Sequence, residues 1–211
     1  GGSVMVLGTP AEEALGGKIS MVKAGAFKEI DVAMLVHPDT RNMPTEGALA
    51  CSSLEAEFFG QAAHAAAQPH RGINALDAMI LAFTSINSLR QHIRSEARIH
   101  GIITDGGEAP NIVPAHSAAV FLIRARDHDY LTELKDKVLN CFTGASIASG
   151  ARFKYRWRDN TYSPMKNNMT LAELFKQNLE SLGRQVEAFD ARFGLGSTDM
   201  GNVSQVVPSI H

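Results

Sequence analysis

The chain has 211 residues, 45% of them hydrophobic, and a formal net charge of -2. That is enough apolar material for one large domain or two modest ones. Scattered Lys and Arg at near-neutral charge argue against nucleic acid or another polyanion as partner, and no apolar run approaches the roughly 20 residues of a membrane span.

The first apolar stretch, Ser3-Val4-Met5-Val6-Leu7, is continuous and predicts a strand buried on both faces. It runs directly into Gly8-Thr9-Pro10-Ala11-Glu12-Glu13. After the Gly16-Gly17 break, Ile19, Val22 and Ala26 fall at helical spacing. Residues 31–36 predict a second buried strand, ending at His37-Pro38-Asp39. Residues 38–49, with their prolines, Asn42, Thr45 and Gly47, read as a loop and a domain boundary.

The texture then changes. Residues 53–59 alternate Leu54, Ala56 and Phe58 with Glu55 and Glu57, the pattern of a strand with one wet face. Residues 74–93 form an amphipathic helix through Leu76, Met79, Ile80, Phe83, Ile86 and Leu89. Two strands follow at 98–103 and 118–124, separated by a long loop with Gly106-Gly107 and Pro110. A helix over 130–147 and an alternating strand over 152–157 complete a β-α-β-β-α-β order, the split-βαβ plan. This unit interrupts an α/β sheet, to which the chain returns after Ser163-Pro164 with a helix over 171–182 and a strand near 203–207. The division expected is 1–49, 50–163 and 164–211, the middle piece being a domain of its own. Both ends fall within apolar segments, so the 211 residues are expected to be an excerpt of a longer polypeptide. Cys51 and Cys141 can form one disulfide, but they fit better as reduced, buried thiols of a cytoplasmic protein.

Strand ends are where α/β proteins gather reactive groups, because the sheet is rigid there and the loops leave room for a ligand. Glu12 and Glu13 stand at one such end and His37 at the other. Thr9-Pro10 supplies the bend that lets both carboxylates reach one site. One can ligate a divalent metal while the other moves protons to and from water. The competing reading is a solvated pair at a helix N-terminus. His64, flanked by alanines, has an imidazole open to donate to a developing oxyanion, or is a bystander in an alanine packing cluster. Asn111 both donates and accepts, and Arg124 offers a fork to a carboxylate; taken singly, each also reads as a structural or solvated residue. The loop Gly194-Leu195-Gly196-Ser197-Thr198-Asp199 can wrap a carboxylate with backbone N–H groups, but lacks the spacing of a phosphate loop.

Taken in order, five pieces resemble the M20 family of metallopeptidases and amidohydrolases, near its aminoacylase-1-like-2 and aminobenzoyl-glutamate hydrolase-like branch. They are Gly8-Thr9-Pro10-Ala11-Glu12-Glu13, His37-Pro38, Gly60-x-x-x-His64 with Pro69 and Gly72, Pro110-Asn111-Ile112-Val113-Pro114 with Arg124, and Gly196-Ser197-Thr198-Asp199-x-Gly201-Asn202-Val203-Ser204. The resemblance implies a zinc-peptidase α/β domain interrupted by a ferredoxin-like lid that dimerises. It implies two divalent ions, Zn2+ or Mn2+, with Glu13 and His37 among their ligands and Glu12 as general base. His64 would act across a lid-mediated homodimer, while Asn111, Arg124 and Gly196, Ser197 and Thr198 would hold the substrate's carboxylate side. The substrate implied is a small amide beside a free carboxylate: a dipeptide, an N-acyl amino acid or an aminobenzoyl-glutamate-like conjugate. The family's remaining metal ligands lie outside this stretch, and His211, directly after the closing Ser-Ile, is not taken as one of them. The chain alone is therefore expected to be inactive and to bind metal weakly. The alternative function is a non-catalytic dimerisation or ligand-binding module. A flavodoxin-like or nucleotide-binding protein is disfavoured, because no phosphate loop follows either early strand.

Overall fold

The computed structural model describes residues 2–12, 16–188 and 195–211. Its elements in chain order are α1 (Gly17–Lys23), β1 (Ala33–Met34), β2 (Ala50–Phe59), α2 (Ala75–Arg90), β3 (Arg98–Asp105), β4 (His116–Ala125), α3 (His128–Ser149), β5 (Arg152–Trp157), α4 (Met169–Ser181), α5 (Met200–Ser204) and β6 (Ser209–Ile210). Backbone contacts divide the chain into two units, Gly1–Ala50 with Asn160–His211, and Cys51–Asp159.

In the second unit the expected β-α-β-β-α-β order is present as a four-stranded sheet in the order β3-β4-β2-β5. β2 and β5 are antiparallel from Leu54 opposite Trp157 to Phe59 opposite Arg152. β3 and β4 are antiparallel from Arg98 opposite Arg124, with a bulge between Ile103 and Asp105. The alternation read in the sequence becomes one dry face: Leu54, Ala56 and Phe58 on β2, and Ser117, Ala119, Phe121, Ile123 and Ala125 on β4. Phe58, Phe121, Phe142 and Phe153 interlock there, with Phe142 stacked on Phe153 at 5.1 Å and edge-on to Phe121 at 5.5 Å.

Both long helices start on side-chain caps. The Asn74 carbonyl oxygen accepts from the backbone N–H groups of Leu76 and Asp77, and the Asp127 carboxylate from that of Tyr130. α2 turns a small-residue stripe inward, with Ala75, Ala78 and Ala82 beside Met79 and Ile86. Ile80, expected on the apolar face, is instead half exposed, because alanines let the helix lie close and the larger side chain is left outside.

Three expectations for the first unit are corrected. Residues 3–7 form no strand, and Val4 and Val6 are 95% and 91% exposed. The second run pairs only at Ala33 and Met34, in parallel with Ser209 and Ile210, leaving Val32, Met34 and Val36 exposed. A strand buried on both faces needs partners on each edge and cover on each face. Among the described residues β6 is the only strand paired with β1. The third correction is at 203–207, where the end of α5 and the turn after it replace the expected strand. Val203 and Val207 point from this helical turn into a cluster with Phe27 and Met200, so tertiary packing overrides the β preference of valine.

Candidate active site

A cavity of about 370 Å³ opens where β1 and β6 end, lined by Glu12, His37, Glu46, Ser197, Thr198 and His211 among others. All of them belong to the first unit. Of the residues singled out in the sequence, Glu12, His37, Gly196, Ser197 and Thr198 thus share one pocket. Glu13 and Gly194 lie outside the described residues.

His37 is exposed at the mouth, and its Nδ1 lies 3.0 Å from the carbonyl oxygen of Pro38. A carbonyl only accepts, so Nδ1 carries the proton and the Nε2 lone pair is left free for a ligand. Glu12 follows Ala11, which sits in the left-handed region at φ 57°, a strained conformation of the kind that collects at functional sites. Gly17 permits this path, because a Cβ there would lie 1.9 Å from the Pro10 carbonyl oxygen. Opposite, the Thr198 hydroxyl donates to Glu12 Oε1 at 3.3 Å and accepts from the Met200 N–H at 3.2 Å. Ser197 Oγ is buried with no partner, and Gly196 is held by its carbonyl, which accepts from the Leu49 N–H at 2.9 Å.

The loop is anchored from behind by a buried ion pair, Lys18 Nζ to Asp199 Oδ1 at 2.8 Å. Asp199 Oδ2 also accepts from the Lys18 backbone N–H at 2.9 Å, so one carboxylate neutralises an ammonium and caps the start of α1.

In the second unit, His64 Nδ1 accepts from the backbone N–H groups of Ala66 and Ala67, each at 3.2 Å. The neutral ring therefore carries its proton on Nε2, where it can be donated outward. His64 bridges to Ile112, and the Ala65 N–H donates to the Asn111 carbonyl at 2.9 Å. The segments bearing His64 and Asn111 are thus sewn together. Arg124 is half-buried and its Nε is enclosed without a partner.

Residues 51–146 match the model of the peptidase dimerisation domain of M20 peptidases. The chain is 41% identical over 210 residues to the Xaa-Arg dipeptidase of Mus musculus, covering 99% of this chain and 49% of that one. The chain belongs to the M20 family. It is also 37% identical over 185 residues to one component of the p-aminobenzoyl-glutamate hydrolase of Escherichia coli, covering 87% of this chain and 38% of the relative. The M20 fold is shared with the aminobenzoyl-glutamate utilization protein of Klebsiella pneumoniae, at TM-score 0.76 and 21% identity over 95% of this chain and 54% of that one. The chain spans about half the length of the Xaa-Arg dipeptidases it matches.

One residue lining this pocket was set aside as a ligand in the sequence reading. His211 directly follows β6 and His37 stands three residues beyond β1, and the two rings are 5.9 Å apart between centroids. Parallel pairing of Met34 with Ile210 puts both histidines at the same edge. The His211 side chain is 5% exposed, with Glu46 Oε2 3.5 Å from its Nδ1. Burial pushes its imidazole below the ordinary value of 6.5, favouring the neutral form. Imidazoles and carboxylates are the donor set that zinc or manganese accepts. Among the described residues no three such groups converge closely enough to hold an ion by themselves; His37 and His211 fit as part of a ligand set.

A second titrating cluster lies at the base of the loop that carries Asn111. His116 Nδ1 is 2.6 Å from Asp105 Oδ2, and its Nε2 is 3.0 Å from Glu57 Oε2. The Asp105 hydrogen bond, aided by Glu57, raises the His116 imidazole above its ordinary 6.5. A raised folded-state value means that the stabilisation is fully present below about pH 6.5 and is lost as pH rises through the higher folded value. The stability difference between the wild type and His116→Gln should therefore shrink as pH rises from 6 toward 9, read by thermal unfolding across that range. A difference independent of pH would contradict the clamp.

Proposed function

We propose that this protein is a metal-dependent M20 amidohydrolase that cleaves a small amide beside a free carboxylate, such as a dipeptide, an N-acyl amino acid or an aminobenzoyl-glutamate-like conjugate. The observation that carries the reading is the meeting of Glu12, His37 and the 196–198 loop in one pocket. Relatives named for Xaa-Arg dipeptides and for p-aminobenzoyl-glutamate support it.

In this reading Glu13 and His37 are ligands to divalent ions, two Zn2+ or Mn2+ in the full-length protein. Such an ion polarises the scissile carbonyl and acidifies a water. Glu12 takes the proton of the attacking water as its oxygen bonds to the carbonyl carbon. The same carboxyl then delivers that proton to the amine as the C–N bond breaks. His64, the Nε2–H tautomer, donates to the oxyanion from the lid of a partner copy. Asn111, Arg124 and the 196–198 loop are assigned to the substrate carboxylate, for which guanidinium, amide and hydroxyl groups are suitable donors.

A homodimer through the lid is supported by the dimerisation-domain match and by Ile102, 66% exposed on edge strand β3. We assign the protein to the cytoplasm, the compartment that reduced cysteines such as Cys141 favour. The test is hydrolysis of dipeptides and N-acyl amino acids by the full-length protein. Activity should disappear with a chelator, return with Zn2+ or Mn2+, and fall sharply when the substrate carboxylate is amidated. Absent or chelator-insensitive hydrolysis would refute the reading.

A further inference from the structure

We propose that His211, oriented by Glu46, is a second imidazole donor to the divalent ion held by His37. The inference rests on the metal-dependent reading for the presence of an ion, and adds a ligand which that reading does not contain.

Both ring nitrogens of His211 are buried without a hydrogen-bond partner, and its side chain is 5% exposed. Buried polar atoms in folded proteins are normally satisfied, so an imidazole orphaned at both nitrogens calls for a partner. Its position supplies the place for one, because His211 lines the same cavity as His37, Glu12 and Glu46. His37 Nδ1 is committed to the Pro38 carbonyl at 3.0 Å, leaving Nε2 as the donor atom. His211 Nδ1 faces Glu46 Oε2 at 3.5 Å, leaving Nε2 of that ring too. Glu46 makes no hydrogen bond at this distance, but a carboxylate that closes on the far nitrogen fixes the tautomer of a metal-bound histidine and strengthens it as a ligand.

The spacing agrees. With Zn–N bonds of about 2.0–2.1 Å and tetrahedral angles, two imidazoles on one ion place their ring centroids roughly 5 Å apart. The rings of His37 and His211 are 5.9 Å apart and tilted by 55°. Rotation of the exposed His37 side chain covers the remainder, while His211 stays fixed by burial. The Glu12 and Glu46 carboxylates, lining the same cavity, offset the charge of the ion.

The test is Co2+ titration of the full-length protein, read by visible absorption, for the wild type, His37→Gln, His211→Gln and Glu46→Gln. His37→Gln and His211→Gln should each weaken Co2+ binding by about 100-fold, and Glu46→Gln by about 10-fold, with metal-free unfolding temperatures confirming that each variant is folded. If His211→Gln binds Co2+ as the wild type does while His37→Gln does not, the inference is overturned and the metal-dependent reading stands. If the wild type binds no Co2+, or His37→Gln is without effect, both fall. Should His211→Gln unfold, proton NMR of the Co2+-loaded wild type decides. A hyperfine-shifted ring signal assigned to His211 is expected, and an unshifted one overturns the inference.

Discussion

Glu12→Gln in the full-length protein should cut amide turnover by about 10²- to 10⁴-fold, the range over which a positioned general base acts, while the bound metal per chain stays unchanged. Gln keeps the shape of the side chain and an oxygen able to accept from the Thr198 hydroxyl, now 3.3 Å from Glu12 Oε1. What it lacks is the capacity to take a proton from water and return it to the leaving amine. Loss of kcat with preserved metal content separates this role from that of a ligand. Turnover that survives the substitution would show that Glu12 is not the base.

The second large effect is on stability. Asp199→Ala should cost about 3–5 kcal/mol, because it strands the buried ammonium of Lys18 without its partner. Lys18 is 3% exposed and Asp199 0%, so neither charge can be rescued by solvent where it stands. The same change removes the acceptor for the first turn of α1, since Asp199 Oδ2 receives the Lys18 backbone N–H. Urea unfolding of the two single variants and of Lys18→Met/Asp199→Ala measures the coupling. The double variant should recover part of the loss, because it leaves no buried charge behind. A cost for Asp199→Ala below about 1 kcal/mol would mean that the pair contributes little.

The second unit was legible because its signals are local. Leu54, Ala56 and Phe58 alternate with glutamates, and Asn74 and Asp127 stand where helix caps are needed. Such patterns specify which face is dry without reference to distant chain. The first unit is different. Val4 to Val6 and residues 32–36 are uniformly apolar, and a uniform run carries no period; whether it becomes a strand depends on what packs beside it. Val203 and Val207 favour strands intrinsically, yet Thr198 and the turn after it start a helix instead, with the Thr198 hydroxyl receiving the Met200 N–H. The pocket residues at chain turns, Glu12, His37 and Thr198, were found because motifs flag them. His211 was named in the sequence and set aside; its place in the pocket lies in the parallel register of β1 with β6, a relation between residues far apart in sequence.

X-ray anomalous scattering at the zinc edge, on crystals of the full-length protein grown with Zn2+, decides whether the pocket at the ends of β1 and β6 is a divalent metal centre. An anomalous peak is expected about 2 Å from His37 Nε2, inside the cavity shared with Glu12 and Thr198. A Zn2+-loaded crystal with that pocket empty of anomalous signal would contradict it.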